Sequence, residues 1–492
     1  MKGERMIKGF LVILSGKVGK ILVGVATTPI LIRFLNETEY GNYAFMMSIF
    51  GLLLVPINGV VFDGARKFLS EDRFSHIQSQ IITFYIKIII IVVSVFMLFI
   101  FSLDLSSIIQ RTLPNKFVGY FYVLIPILFL RASVSLARSS LLGIGLEKFS
   151  EPLEFLRKFS FSVTAIYLAY AGFGTLGVLF SHIIAAFIVT AISIPLLSKK
   201  FSYKLSSINI PNTFPRKNLL TFSLLNIVLM SLIFSMRHID VIFLRLLLEG
   251  EQTAYYKAAL VIAEFLWFVP LALQITLVHS TSKLWDNNKI DDINNMSRNI
   301  TKYNLIFTLL LVVGLAVLAD EFVNFYFGVR YAASATPLLL LLPGVLGFAL
   351  ARPIFAIGQG KGDVLPLVYA TGASALLNIV LNILLIPRFG MTGAAIATSI
   401  GYGSMAIFHI FISIKKIGFN PIKGIPIFRI GFSGLITLYV LDKLNSQVIT
   451  GSISLVTIPV IGGLVYITLL LLFGVITRSQ YNTVVDMVSL GE

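Results

Sequence analysis

The sequence predicts an all-α integral membrane protein with about fourteen transmembrane helices. These form two parallel six-helix repeats, giving two lobes, followed by a C-terminal helix hairpin. Three observations carry that expectation: composition, recurring apolar runs and an internal duplication. Of the residues, 57% are hydrophobic and 13% charged, a balance that excludes an ordinary soluble domain. A span needs about 20 apolar residues to cross a hydrocarbon layer about 30 Å thick. Its backbone polar groups must be satisfied within the segment, so long apolar runs without strand alternation mean helices rather than a barrel.

The candidate spans, in order, are residues 7–32, 41–63, 79–102, 117–141, 155–172, 175–197, 218–243, 254–279, 302–319, 335–357, 364–386, 391–414, 424–441 and 453–476. The N-terminal Lys2, Arg5 and Lys8 precede an apolar run, as in a signal peptide, but Lys17 and Lys20 interrupt any such core. The segment therefore reads as an uncleaved first helix. With the N-terminus cytoplasmic, about 23 basic residues fall in inner loops and tails, Arg157 and Lys158 among them, against about 7 outside. That asymmetry predicts both termini on the cytoplasmic face of the cell membrane. It also accounts for most of the formal charge of +16 without a nucleic-acid partner. With no cysteine there is no disulfide, thiolate metal site or thiol nucleophile.

The duplication is read from four matches in order. Arg33, Glu37, Glu39 and Tyr43 correspond to Arg245, Glu249, Glu251 and Tyr255 at an offset of 212. Pro56 corresponds to Pro270, Ile144–Lys148 to Ile357–Lys361, and Phe173–Gly177 to Phe389–Gly393, at offsets of 214, 213 and 216. Each pair falls at the same place in the helix count, which makes chance a poor explanation. Six helices per copy is an even number, so both copies insert with the same orientation. The predicted divisions are 1–205, 206–417 and 418–492, the last holding an accessory hairpin and a tail.

Charges inside spans are the candidates for function. Lys17, about ten residues from the cytoplasmic entry, lies roughly 15 Å deep, and Arg131 is comparably deep. Lys17 and Lys20 share one helix face, with Gly16 and Gly19 beside them. A charge at such depth costs about 2.5–3.5 kcal/mol and is expected to face a bundle interior or wet cavity. Lys87 and Arg237 are shallower candidates. Arg138, Arg352, Lys257 and Arg429 lie near helix ends, where snorkelling suffices. Glu264 reads as the one carboxylate well inside a span, with Asp63 and Asp240 near ends. One glutamate cannot neutralise Lys17, Lys20, Lys87 and Arg131, so a positive cavity for an anionic ligand is expected. Its site residues are Lys17, Lys20, Arg131, Lys87 and Arg237, with Glu264 or Asp240 available for coupling to H⁺ or Na⁺. Lys17 and Lys20 have no counterparts in the second copy, where Leu229 and Leu232 stand; the chemistry is expected in the N-terminal lobe.

Other features are quieter. Pro29, Pro56, Pro126, Pro270 and Pro343 kink or hinge their helices. Asn226, Asn378 and Asn382 either line a cavity or bond between helices. His182, His238 and His409 lack metal-ligand spacing. Gly358–Gly362 lacks the strand, spacing and hydroxyl of a phosphate-binding loop and reads as a helix-connecting turn.

Together, Glu39-Tyr40-Gly41-Asn42-Tyr43, Asp63-Gly64-Ala65-Arg66-Lys67, Leu142-Gly143-Ile144-Gly145 and the two Phe-Gly-x-x-Gly turns resemble one family. It is the Wzx-type polysaccharide and lipid-linked oligosaccharide flippases of the multidrug/oligosaccharidyl-lipid/polysaccharide (MOP) exporter superfamily. The resemblance implies two six-helix lobes with alternating access and no cofactor. It implies translocation of a polyprenyl-(pyro)phosphate-linked glycan, with membrane lipids, a glycan polymerase or glycosyltransferases as partners. Two rivals share the fold: a cation-coupled multidrug exporter, which calls for an acid-rich cavity, and a lipid II flippase. A membrane enzyme is disfavoured because the outer segments near 103–116 and 320–334 carry only Asp104, Asp320 and Glu321 as acids.

Overall fold

A computed structural model describes residues 19–71, 77–198, 216–447 and 451–476. Among these the regular structure is entirely helical, as expected. The chain divides into two compact units, Met1–Ala254 and Tyr255–Glu492. The first contains α1 (residues 19–34), α2 (Glu37–Ser70), α3 (Gln78–Leu105), α4 (Lys116–Gly143), α5 (Glu147–Tyr170), α6 (Gly174–Ser198) and α7 (Arg216–Leu247). Next, α8 (Gly250–Phe265) crosses the division. The second unit continues with α9 (Phe268–Asp286), α10 (Ile290–Val317), α11 (Ala335–Lys361), α12 (Leu365–Ile412), α13 (Ile427–Gln447) and α14 (Ser454–Leu472). Nine helices among the described residues are long and apolar enough to cross a membrane, or ten if the bent pair α8–α9 counts as one span. The chain is a multi-pass membrane protein. The described part of every predicted span falls mostly on helix, and predicted spans eleven and twelve are the two arms of α12, broken at Gly390.

In the first unit α4 is the central element. Phe117, Phe121, Leu124 and Leu128 recur at helical spacing on its buried face, and Phe117 meets Phe45 of α2 edge-on at 5.6 Å. By contrast α3 leaves Ile90, Ile91, Val95, Leu98 and Phe99 exposed, an apolar surface suited to lipid. In the second unit α11 is the most enclosed span, with Phe348 stacked on Trp267 at 4.2 Å. The hairpin α13–α14 packs on α10 through Leu305, Ile430, Tyr466 and Leu470. Asn378 donates across the break in α12 to the Ala397 carbonyl at 3.2 Å, so its amide bonds protein backbone. Gly358–Lys361 forms the last turn of α11, closed by Gly362 in the left-handed region (φ 82°), rather than a free turn.

The motif residues of the α1–α2 turn have structural work. Asn36 caps α2 by accepting from the Glu39 amide at 2.8 Å. Glu39 then joins three elements: it pairs with Lys116 at the start of α4 (2.6 Å) and accepts from the Thr175 amide at the start of α6 (2.9 Å). The Thr175 hydroxyl donates to the Glu39 carboxylate as well. Two of the quoted motifs thus form a single clasp. The turn that brings Thr175 there needs Gly174 at φ 54°, and its counterpart in the repeat, Gly390, has φ 58°. Beside the clasp, a Cβ on Gly41 would stand 1.8 Å from the Gly250 carbonyl oxygen. Arg245 Nε donates to Asn42 at 2.8 Å.

Candidate functional site: a buried charge cluster on α1, α4 and α5

Helical spacing brings the cluster together. Arg131 and Arg138 are seven residues apart, two turns along one face of α4. On α5, Glu151, Glu154 and Lys158 follow at intervals of three and four, with Arg157 adjoining. The two helices are joined by a short turn at Gly145, where φ is 72°. Against α5 lies α1: Gly19 faces the Phe155 ring, and the hydroxyls of Thr27 and Ser162 hydrogen-bond at 2.7 Å. That packing directs Lys20 toward Glu151.

Two carboxylates serve as hubs for the cations. Arg138 bridges them, Nη2 lying 3.2 Å from Glu151 Oε1 and Nη1 3.3 Å from Glu154 Oε2. Its Nε donates to the Ser150 carbonyl at 3.2 Å. Arg157 grips Glu154 with two hydrogen bonds of 2.6 and 3.1 Å, the bidentate geometry that makes Arg–carboxylate pairs strong. Lys20 and Arg131 are held more loosely, at 3.6 Å from Glu151 and 3.8 Å from Glu154. Lys158 lies 5.3 Å over the Phe161 ring. Glu151 and Glu154 are 6% and 8% exposed, so this is an interior network. Among the described residues its five cations and two anions leave a surplus of positive charge.

A cavity of about 220 Å³ opens on the cluster, lined by Arg131, Arg138, Glu154 and Ser135, and by Asn58 and Phe62 of α2. The α2 residues are presented by a π-helical segment, Ile57–Phe62, that directly follows Pro56. Single π turns of this kind are frequent at functional sites. The space suits a phosphate or pyrophosphate group, not an entire oligosaccharide, since pockets for drug-sized ligands are about 300–1,000 Å³.

Of the residues predicted from sequence, Lys20 and Arg131 are brought into one network. Lys17 lies outside the described residues. Lys87 on α3 and Arg237 on α7 are half-buried and do not line the cavity. Asp240 is buried on α7, accepting from the Val241 amide at 2.7 Å. Glu264 on α8 is half-buried and belongs to the second unit.

Three expectations are corrected. Glu264 is not the only interior carboxylate: α5 begins at Glu147, ahead of the predicted start at 155, and buries Glu151 and Glu154. Arg157 and Lys158 are not loop residues but part of that helix. Arg138 and Arg352 do not snorkel; Arg138 is in the network, and Arg352 is 5% exposed. An apolar-run criterion trims α5 to its second half because its first half is charged. The available signal was the three- and four-residue spacing of those charges.

The comparisons agree with this architecture. Residues 226–384 match the MatE family model. The inward closed conformation of the lipid II flippase MurJ superposes with a TM-score of 0.73 at 15% identity, covering 94% of this chain and 98% of that one. An inward-facing multidrug resistance MATE family transporter of the MOP superfamily gives 0.65 at 15% identity, covering 88% and 99%. The fold is the one these two transporter structures share.

Among curated proteins, the chain is 22% identical over 475 residues to the probable low-salt glycan biosynthesis flippase Agl15 of Haloferax volcanii, 93% of each chain. It is 28% identical over 199 residues to the uncharacterized membrane protein MJ1068 of Methanocaldococcus jannaschii, spanning 40% of this chain and 39% of that protein. Those relatives that are named for an activity are transporters and flippases, not enzymes.

Proposed function

We propose that the protein translocates a polyprenyl-(pyro)phosphate-linked oligosaccharide across the cytoplasmic membrane by alternating access, with both termini cytoplasmic. The observation that carries this reading is the surplus of partly buried cations, among the described residues, around a phosphate-sized cavity. Buried cations without matching anions are costly, and an anionic headgroup supplies the missing charge. The sugar would occupy aqueous space while the lipid tail remains in the bilayer. Both cluster carboxylates are already engaged by arginines, so neither offers a free acid to a cationic drug. The Agl15 likeness, over nearly the whole chain, points to the same class of substrate. Lys17 and Lys20 would extend the cationic path along α1, with Lys87 and Arg237 as outlying contributors. Glu264 or Asp240 would carry coupling to H⁺ or Na⁺. Glycan polymerase and glycosyltransferases would act on the same lipid-linked intermediates.

The test is leaflet accessibility of a lipid-linked oligosaccharide in proteoliposomes. Arg131→Gln is expected to slow translocation at least tenfold at normal reconstitution, as is charge reversal at Lys17 and Lys20 together. Unchanged translocation in Arg131→Gln would overturn the assignment of this cluster.

A further inference from the structure

The cations of the cluster are not equally available. Arg138 is committed on three sides, to Glu151, Glu154 and the Ser150 carbonyl, and Arg157 is bidentate on Glu154. Arg131 makes one ion pair among the described residues, to Glu154 Oε2 at 3.8 Å, beyond hydrogen-bond length. It nevertheless lines the cavity, as do Arg138 and Glu154. A guanidinium carries five N–H donors, so Arg131 has donors to spare facing a phosphate-sized space.

Glu154 stands where an anionic ligand of Arg131 and Arg138 would stand. A carrier that returns empty cannot leave those guanidiniums uncompensated in a low-dielectric interior, because removing one partner of a buried pair costs about 3–5 kcal/mol. A carboxylate that filled the seat tightly would exclude substrate. The long contact to Arg131, set against the short bidentate contact to Arg157, answers both requirements.

We infer that Glu154 is an internal counter-ion. It occupies Arg131 and Arg138 in the empty protein and yields them to the substrate's phosphate or pyrophosphate, remaining paired with Arg157. The inference rests on the anionic, lipid-linked reading of the substrate. It makes Glu154 a determinant of the exchange between loaded and empty states.

The experiment uses the full-length protein, with inorganic pyrophosphate and a short-chain prenyl diphosphate as calorimetric probes and translocation measured in parallel. In Glu154→Gln both probes should bind about five- to tenfold more tightly, while translocation falls at least fivefold because the return of the empty carrier is impaired. Glu154→Asp keeps the charge near Arg157 but shortens its reach toward Arg131. It should show a smaller rise in affinity and remains informative should the glutamine variant fail to fold. Arg131→Gln should lose binding of both probes. If both Glu154 variants bind the probes no better than wild type while Arg131→Gln loses them, the exchange role is overturned and the anionic site stands. If wild type binds neither probe and Arg131→Gln translocates normally, the anionic reading falls and this inference with it. Clearly tighter binding of pyrophosphate than of the prenyl diphosphate would assign the seat to the free anion and overturn the lipid-linked substrate.

Discussion

Arg138 on α4 and Arg352 on α11 stand 214 residues apart, the offset of the duplicated prolines; Arg352 is buried and Arg138 partly so. Their described contacts differ. Arg138 lies between two carboxylates, at 3.2 and 3.3 Å. Arg352 lies 4.2 Å over the Phe348 ring and 5.5 Å from Phe355, and donates to Gln274 at 3.3 Å. At offsets of 213 to 216, Glu151–Lys158 align with residues 364–374, which contain no charged residue; at 212 only Glu151 meets a charge, Asp363. Duplication kept the scaffold and one arginine, whereas the carboxylate hubs and the loosely held cations belong to the first copy. A charge shared by both copies therefore need not mark shared function; the anions around it discriminate.

Breaking that comparison at its centre should give the largest effect. Arg138→Leu leaves Glu151 and Glu154 buried with fewer partners, a loss of about 3–5 kcal/mol. Arg352→Leu forfeits ring and amide contacts worth about 1–2 kcal/mol. Thermal scans read by size-exclusion chromatography should show Arg138→Leu melting well below Arg352→Leu. Intrinsic fluorescence is the wrong probe for the first unit, because Trp267 and Trp285 both lie in the second. Equal melting temperatures for the two variants would refute the claimed difference.

The architecture was readable because lipid imposes a simple rule, helix length and apolarity, which nearly every span obeys. Duplicated turns were readable because backbone geometry fixes Gly174 and Gly390. The site was only half readable. Lys20 and Arg131 betrayed themselves as single charges in apolar runs. Glu151, Glu154, Arg157 and Lys158 escaped because four charges within eight residues resemble a solvated loop. Only packing against α1 and α4 turns that face inward, and hydropathy along the chain contains no term for it. Arg138 and Arg352 escaped because proximity to a helix end permits snorkelling without requiring it.

The turns at Gly174 and Gly390 sharpen the comparison from the side of likeness. Both have positive φ, and Ala at such positions costs about 1–3 kcal/mol. Gly174→Ala should be the worse of the two, since its Cβ would also come within 3.0 Å of Glu39 Oε2 in the clasp. The expected result is a lowered melting temperature in both variants, with a modestly larger shift at Gly174. A neutral Gly390→Ala would show that the two breaks are not equivalent.

The smallest effects should come from the clasp itself, and their order tests what holds it. Lys116 is 41% exposed, so its 2.6 Å pair with Glu39 is screened, and Lys116→Ala should cost about 0–1 kcal/mol. Glu39→Gln weakens the charge-assisted bonds that Thr175 makes at the start of α6 as well as the ion pair, and should cost about 1–2 kcal/mol. Raising salt should narrow the gap between wild type and Lys116→Ala while leaving most of the Glu39→Gln deficit, because the Thr175 bonds are enclosed. If the two variants instead lost equal stability and recovered equally with salt, the clasp would be a surface ion pair and not the joint that sets α6 on α2.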